Sequence, residues 1–272
     1  MPELPEVVTI ARGLAKRVAG DVIESVWLGS KPEPLKSPAA EIEAALVFRK
    51  IAGVRRSGKH IVFDLVQPSA KIEQAGAQWI VHLGMTGRLL VCDPDTELAK
   101  HTHAVLRLAS GRELRFIDPR RFGRLAVIAK FAPPGAEPLS ISAADFATLF
   151  QGRKTPIKSA LLNQKLLSGV GNIYADEALY RAGVRPRRRA AALTADEMRL
   201  LHKGLKQVLR EAIRLGGSSI SDYVDSEGQK GFFQLKHRVY GREGEPCLVC
   251  RTPIKRIMIT GRSSHYCPKC QK

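Results

Sequence analysis

The alternation of apolar and polar side chains changes character twice along the chain. Near the start, Val7, Ile10, Ala11, Leu14, Ala15 and Val18 recur every three or four residues, a spacing that predicts an amphipathic helix. Pro5 suits the first turn of that helix, where its missing N–H costs nothing. Glu3 and Glu6 sit at the positive end of the helix dipole. This accounts for Pro5 and tolerates both glutamates, but it leaves Pro2 unexplained.

From Val22 to Lys130 the period shortens. The runs "VIESVWLG", "KHIVFDLV", "QWIVHLGM", "GRLLVC", "HAVLRL", "RELRFID" and "GRLAVIAK" are rich in Val, Ile, Leu and aromatics and are bounded by turn residues. Such density predicts a sandwich or barrel of strands. Pro133, Pro134, Gly135 and Pro138 break the pattern and predict an interdomain linker. Helical spacing then governs Ala143 to Leu215, with Ser142 and Thr194 as N-caps, until "GGSS" closes the last long helix. A polar stretch, "SDYVDSEGQKG", reads as a loop. The expected class is α+β, divided into residues 1–132, a linker over 133–142, a helical part over 143–238 and a tail over 239–272.

Composition narrows the partners. A chain of 272 residues with 44% apolar side chains buries a sizeable core and is expected to form two domains. Lys and Arg number 44 against 26 Asp and Glu, a net charge of +18, which attracts nucleic acid or an anionic membrane. No apolar run approaches the roughly 18 residues of a spanning helix. The acidic, helix-patterned start is unlike a signal peptide, so a cytoplasmic nucleic-acid partner is expected. Residues 136–272 hold 24 basic and 12 acidic residues, against 20 and 14 in residues 1–135. The second half should therefore supply more of the electrostatic grip.

The tail reads Cys247-x2-Cys250-x16-Cys267-x2-Cys270. Two close pairs of thiolates around a hairpin-length insert suit tetrahedral zinc; two disulfides are the competing reading, without an export signal to support them. Four thiolates leave no open position, so the expected Zn2+, one per chain, is structural. Cys92 stands apart as a buried thiol. Within the insert, Lys255 and Arg256 fit a solvated face, whereas Arg262, in the turn-rich "TGRSSHYC", is better placed to meet a phosphate. Upstream, Gly169-Val170-Gly171-Asn172 precedes a helical run. Glycines admit close backbone approach, and a helix start offers free N–H groups to phosphate. Alone, such a turn means little, but Lys158 and Lys165 lie before it and Arg185, Arg187, Arg188 and Arg189 after it. The cations favour phosphate; the arginine run itself stays open between a solvated face and DNA contact.

Taken in order, "PELPEV", "HLGMTGRL", "DPRRFG", "GVGNIYADE", "VYGREGEPC" and the four-cysteine tail resemble the bacterial formamidopyrimidine-DNA glycosylase (8-oxoguanine DNA glycosylase) family. The resemblance runs from Pro2 to the last cysteine. It implies an N-terminal catalytic β-sandwich flanked by helices, a helix-two-turn-helix domain with a lid loop, and a zinc-binding β-hairpin. It also implies removal of oxidised purines from duplex DNA and cleavage of the abasic strand, by a monomer in the cytoplasm at the nucleoid. The endonuclease VIII branch, acting on oxidised pyrimidines, is the alternative; it typically begins "PEGPE" and lacks "HLGM" and "DPRRFG". A zinc-containing DNA-binding regulator would explain the charge, the Gly-rich turn and the cysteines. It would not explain an N-terminal proline with two glutamates, nor the strand-rich domain. An RNA-binding zinc ribbon explains still less.

The resemblance also accounts for Pro2, which becomes the family's nucleophile once Met1 is removed. A terminal amine has a pKa near 7.7–8.0, far below that of lysine, so more of it is neutral near pH 7; the helix end favours the neutral form further. A secondary amine attacking C1′ of deoxyribose yields an iminium ion, the electron sink for β- and then δ-elimination. Glu3 matches the general acid/base. Glu6 matches a supporting carboxylate, although a helix-start charge explains it nearly as well. Lys59 of "RSGKHIV" matches a phosphate-contacting lysine. Met85, Arg120 and Phe122 match the wedge that fills the gap left by a flipped base; without the resemblance Met85 and Phe122 read as core. His103, Arg120, Lys158, Asn172 and Arg262 match DNA-contacting positions, and His82 is as well explained as a structural histidine. Two departures, Asn163 before Gln164 and His237 where the family often has leucine, bear on packing near the loop over 221–231, which the family uses to cover the flipped base.

Overall fold

The first helix, α1 (Leu4–Val18), buries Leu4, Val7, Ile10, Ala11, Leu14 and Val18, the face that the spacing predicts. Its start is closed by a capping box between two glutamates: Glu6 Oε2 accepts the backbone N–H of Glu3 at 2.8 Å, and the Glu3 side chain accepts from Glu6 in return. The structure, a computed structural model, describes residues 1–68, 76–219, 229 and 231–272. They form two units, Met1–Ala132 with the described part of Gly216–Gly231, and Pro133–Leu215 with Phe232–Lys272.

In the first unit, eight strands form two antiparallel sheets. One has the order β1 (Ile23–Leu28), β6 (Thr102–Leu108), β7 (Glu113–Ile117), β5 (Arg88–Cys92); the other runs β2 (Lys50–Ser57), β3 (His60–Val66), β4 (Gln78–His82), β8 (Arg124–Ile128). Their inner faces share one core, built around Phe63, Trp79, Val81, Leu106, Leu114, Phe116 and Leu125, into which α1 also packs. This is a β-sandwich. Two elements lie outside the runs singled out above. Helix α2 (Ala39–Leu46) buries only Ile42 and Leu46, too few positions to declare a period. Strand β2, "KIAGVRRS", carries a glycine and three cations, and owes its conformation to pairing with β3 along nearly its whole length. The β2–β3 turn has only Gly58, in the left-handed region at φ 59°, and Lys59 between the paired Ser57 and His60.

In the second unit, α3 (Ala143–Phe150), α4 (Ile157–Leu162), α5 (Asn172–Arg181) and α6 (Ala195–Arg214) precede a hairpin of β9 (Lys255–Ile259) and β10 (Arg262–Tyr266). Helix α5 packs on α4, α6 and β10. Both expected N-caps form: Ser142 Oγ accepts from Asp145 N, and Thr194 makes a capping box with Glu197. The proline-rich segment is not free chain. Gly135 N–H donates to Ser168 Oγ, and Ala136 exchanges backbone bonds with Leu166 and Ser168. Asn163 Oδ1 accepts from Lys165 N, and His237 stacks edge-on with Phe233 and Tyr240, a neutral ring whose pKa burial pushes down to about 4. Of the loop expected over 221–231, only residues 229 and 231 are described; the rest lies outside the described residues. Among the described residues no helix is long and apolar enough to cross a membrane.

Candidate active site and metal centre

The first unit gathers its charged groups around the chain's beginning. Pro2, Glu3, Glu6 and Lys59 are all buried. Burial holds the terminal amine, here on Met1, below its ordinary value; Glu3 and Glu6 oppose this, and Lys59 and Arg120 lower it further. The two carboxylates and two cations thus act on one amine. Glu6 is also a structural tie. Its Oε2 holds Glu3 N–H and its Oε1 accepts from Ser218 N at 2.8 Å. Gly217, at φ +84°, presses on the same carboxylate, where a Cβ would stand 2.8 Å from Glu6 Oε1; only glycine fits. Sequence reasoning left the Gly217–Ser218 contact unseen, since nothing local links it to Glu6.

The motifs "HLGMTG" and "DPRRFG" are two halves of one construction. Gly84, at φ +64°, lies so close to the second motif that a Cβ would meet the Phe122 carbonyl carbon at 2.6 Å. The buried Asp118 ties them: its carboxylate accepts from Thr86 Oγ1 at 2.5 Å, Gly123 N at 2.7 Å and Arg120 N at 3.3 Å. On this base, Met85 and Phe122 stay 44% and 52% exposed, which removes the core reading for both. The Arg120 guanidinium stands 4.7 Å over the Phe122 ring. His103, in contrast, is buried beneath the loop, with Nε2 donating to the Asp118 carbonyl at 3.0 Å; only its other ring nitrogen is left for a ligand. His82 accepts Gly84 N–H on Nδ1, and burial, with His60 and Arg124 adding to it, pushes its pKa down to about 4. It is a neutral ring that shapes the turn before Met85.

In the second unit, Asn172 opens α5 after Gly169 (φ 96°) and the N-cap Gly171, and its side-chain amide donates to Ser263 Oγ at 3.3 Å. Ser263 follows the exposed Arg262, so the glycine-rich turn and the hairpin turn meet. Lys158, which matches a DNA-contacting position, lies in the interior. It is 0% exposed, with Nζ 2.7 Å from Asp176 Oδ1 and donating to the Ser263 carbonyl at 2.5 Å. The arginine run divides: Arg185 and Arg188 hold tail carbonyls, Arg188 also pairs with Glu197, and Arg187 and Arg189 are exposed. Two buried acids escaped the sequence reading, Asp176 and Glu177. Glu177 accepts the backbone N–H groups of Arg238, Val239 and Tyr240 at 2.9–3.0 Å. The signal was present: "ADE" lies within Tyr174–Leu179, the continuous buried stretch of the helix, whose other members are apolar or aromatic.

The four tail cysteines bring their sulfurs within 4.8 Å of one another, with Cys247–Cys270 at 3.8 Å and Cys250–Cys267 at 3.4 Å. Zinc–sulfur bonds of about 2.3 Å in a tetrahedron set the sulfurs about 3.8 Å apart. The residues fit one structural zinc ion. The Tyr180 hydroxyl, 3.3 Å from Cys247 Sγ, supplies the outer hydrogen bond that such thiolates attract.

A strand sandwich whose terminal amine lies among buried charges, joined in sequence to a helical unit closed by a four-thiolate hairpin, defines the helix-two-turn-helix, zinc-hairpin class. Family profiles match in the same order: "Formamidopyrimidine-DNA glycosylase N-terminal domain" over residues 1–125, "Formamidopyrimidine-DNA glycosylase H2TH domain" over 134–224, and "Zinc finger found in FPG and IleRS" over 244–272. The formamidopyrimidine-DNA glycosylase of Solibacter usitatus is 47% identical over 100% of both chains, and that of Desulforamulus reducens 43% identical over 100% of this chain and 99% of its own. The MutM (FPG) protein of Thermus thermophilus superposes with a TM-score of 0.86 at 41% identity, covering 99% of this chain and 98% of its own. Lactococcus lactis Fpg, solved with DNA containing an abasic site, gives 0.88 at 32% identity over 99% of each. The chain belongs to the formamidopyrimidine-DNA glycosylase family.

Proposed function

We propose that the chain is a base-excision repair enzyme that removes oxidised purines, 8-oxoguanine and formamidopyrimidines, from duplex DNA and then cleaves the abasic strand. The observation that carries this reading is the terminal amine, partly desolvated and lowered in pKa, with the buried Pro2, Glu3, Glu6 and Lys59 following it in the fold. Removal of Met1 makes Pro2 the terminus, a secondary amine in the same surroundings. The Pro2 nitrogen attacks C1′, the glycosidic bond breaks with its electron pair leaving on the base, and the nitrogen gives up its proton to Glu3. Glu3 passes that proton to the sugar ring oxygen as the ring opens, leaving an iminium at C1′. Loss of a C2′ proton then expels the 3′ phosphate, and the conjugated cation drives the second elimination at the 5′ side. Lys59 is suited to stabilise phosphate as it leaves.

Met85, Arg120 and Phe122 fill the space of the extruded base, with the Arg120 fork suited to the O2 and N3 acceptors of an orphaned cytosine. This shared base of "HLGM" and "DPRRFG" favours the purine branch over the endonuclease VIII type. Asn172 and Arg262 are the phosphate contacts of the helical unit. The net charge of +18 supports DNA as partner, and we assign the enzyme as a monomer acting at the nucleoid in the cytoplasm. Borohydride trapping on abasic duplex tests the reading: a covalent adduct is expected with the processed chain. A chain with one residue appended before Pro2 should give none, while keeping its fold and zinc. Full trapping by that variant overturns the assignment of Pro2.

A further inference from the structure

We infer that Lys158 and Asp176 act as a positioning pair that aims the Arg262 turn, and that Lys158 does not itself meet the DNA backbone. The inference rests on the DNA-binding reading above, but its observations are internal to the second unit. Both side chains are buried, 1% and 0% exposed, and paired at 2.7 Å. From this pair, each partner reaches the hairpin on one strand: Lys158 Nζ donates to the Ser263 carbonyl at 2.5 Å, and Asp176 Oδ2 accepts His265 N–H at 2.8 Å. Asn172, four residues before Asp176 and so on the same helix face, donates to Ser263 Oγ. Ser159, beside Lys158, meets the Thr260 hydroxyl at 2.9 Å. Thr260, Ser263 and His265 are thereby fixed to α4 and α5, and Arg262 extends from the fixed stretch into solvent.

A lysine that swung out to a phosphate would abandon a fully buried carboxylate, and an unpaired charge in a low-dielectric interior is among the costliest states a fold can hold. Lys158 therefore acts through Arg262 and Asn172. The acid of "GVGNIYADE" four residues after Asn172 has the same reason: it sets the height of the hairpin against the helix start, so that amide and guanidinium face one anion.

Lys158→Met, Asp176→Asn and the double variant separate the two roles, because the amide oxygen introduced by Asp176→Asn retains an acceptor for His265 N–H. With a duplex carrying a tetrahydrofuran abasic analogue, each single variant should bind about tenfold more weakly, since each strands one buried charge. The double variant strands none, and should return to within about threefold of the parent with the parental salt dependence. Zinc analysis should give one ion per chain throughout. The inference is overturned if the double variant stays as weak as Lys158→Met with a salt slope shallower by about 0.9, the signature of one lost phosphate contact. It is equally overturned if Asp176→Asn binds at parental strength. Thermal unfolding of the four proteins, read as a double-mutant cycle, tests the pair without DNA; additive losses would overturn it. Failure of the parent itself to bind damaged duplex would instead defeat the functional reading.

Discussion

Two helices in this molecule each bring two buried acids, and they use them differently. At the start of α1, Glu6 is held by Glu3 N–H and Ser218 N–H, while Glu3 acts on the terminal amine. On α5, Asp176 faces a lysine and a backbone amide, and Glu177 faces three backbone amides. Burial is common to all four. What separates them is the neighbour: Glu177 is held by fixed backbone amides, Asp176 by a lysine buried with it, and Glu3 lies beside a terminal amine at the chain's exposed end. A buried acid with all its partners buried alongside it reads as a structural tie, whereas one beside a group that a ligand can reach is a candidate for chemistry.

The contrast can be broken at its strongest point first. Glu3→Gln should bind damaged duplex but excise 8-oxoguanine at least about 100-fold more slowly, the range for a lost general acid; single-turnover excision measures it, and parental turnover would return Glu3 to capping. Glu177→Ala should leave one buried and two partly buried backbone N–H groups without their acceptor, costing about 2–3 kcal/mol, a fall in melting temperature of roughly 4–12 °C. The α1 acids predict no such fall for Glu3→Gln, because the amide still accepts from Glu6 N–H.

Phe122→Ala sharpens the comparison on the surface side. Excision of 8-oxoguanine should drop about tenfold, in line with lost stacking of a few kcal/mol, while cleavage of a pre-formed abasic site and the melting temperature stay near parental. Equal losses on both substrates with a lowered melting temperature would make Phe122 a packing residue. The smallest effect concerns the amine. Glu6 raises its pKa and Lys59 lowers it, so removing each charge should move the acid limb of borohydride trapping in opposite directions. Glu6→Gln should shift it to lower pH and Lys59→Met to higher pH, by a fraction of a unit for charges acting through partly screened space. Shifts of one sign would mean that the amine does not sense these side chains.

Features set by neighbours in sequence were legible: the buried face of α1, the caps at Ser142 and Thr194, and the hairpin between the cysteine pairs. Lys158 and His103 were harder, because motif and charge identify a residue type but not its partner. The lysine's partner carbonyl belongs to Ser263, 105 residues on. Asp118 joins "HLGMTG" to "DPRRFG" through contacts with Thr86 and Gly123 that neither motif announces by itself. Strand β2 was hidden for a related reason, since its conformation comes from β3. Glu6 kept two readings because one carboxylate both caps the helix start and reaches Ser218, 212 residues away.

The tie between Glu6 and Ser218 spans 212 residues, and it orders events during manufacture of the chain. The first unit is interrupted after Ala132 and resumes at Gly216. At roughly 5–20 residues per second, the ribosome delivers Ser218 about 10–40 s after Glu6. A nascent chain that has made only its sandwich therefore has an unfinished terminus, and the helical unit up to Leu215 has been translated before that terminus can be completed. The order of translation leaves the Glu6 tie open until the whole of residues 133–215 has been made.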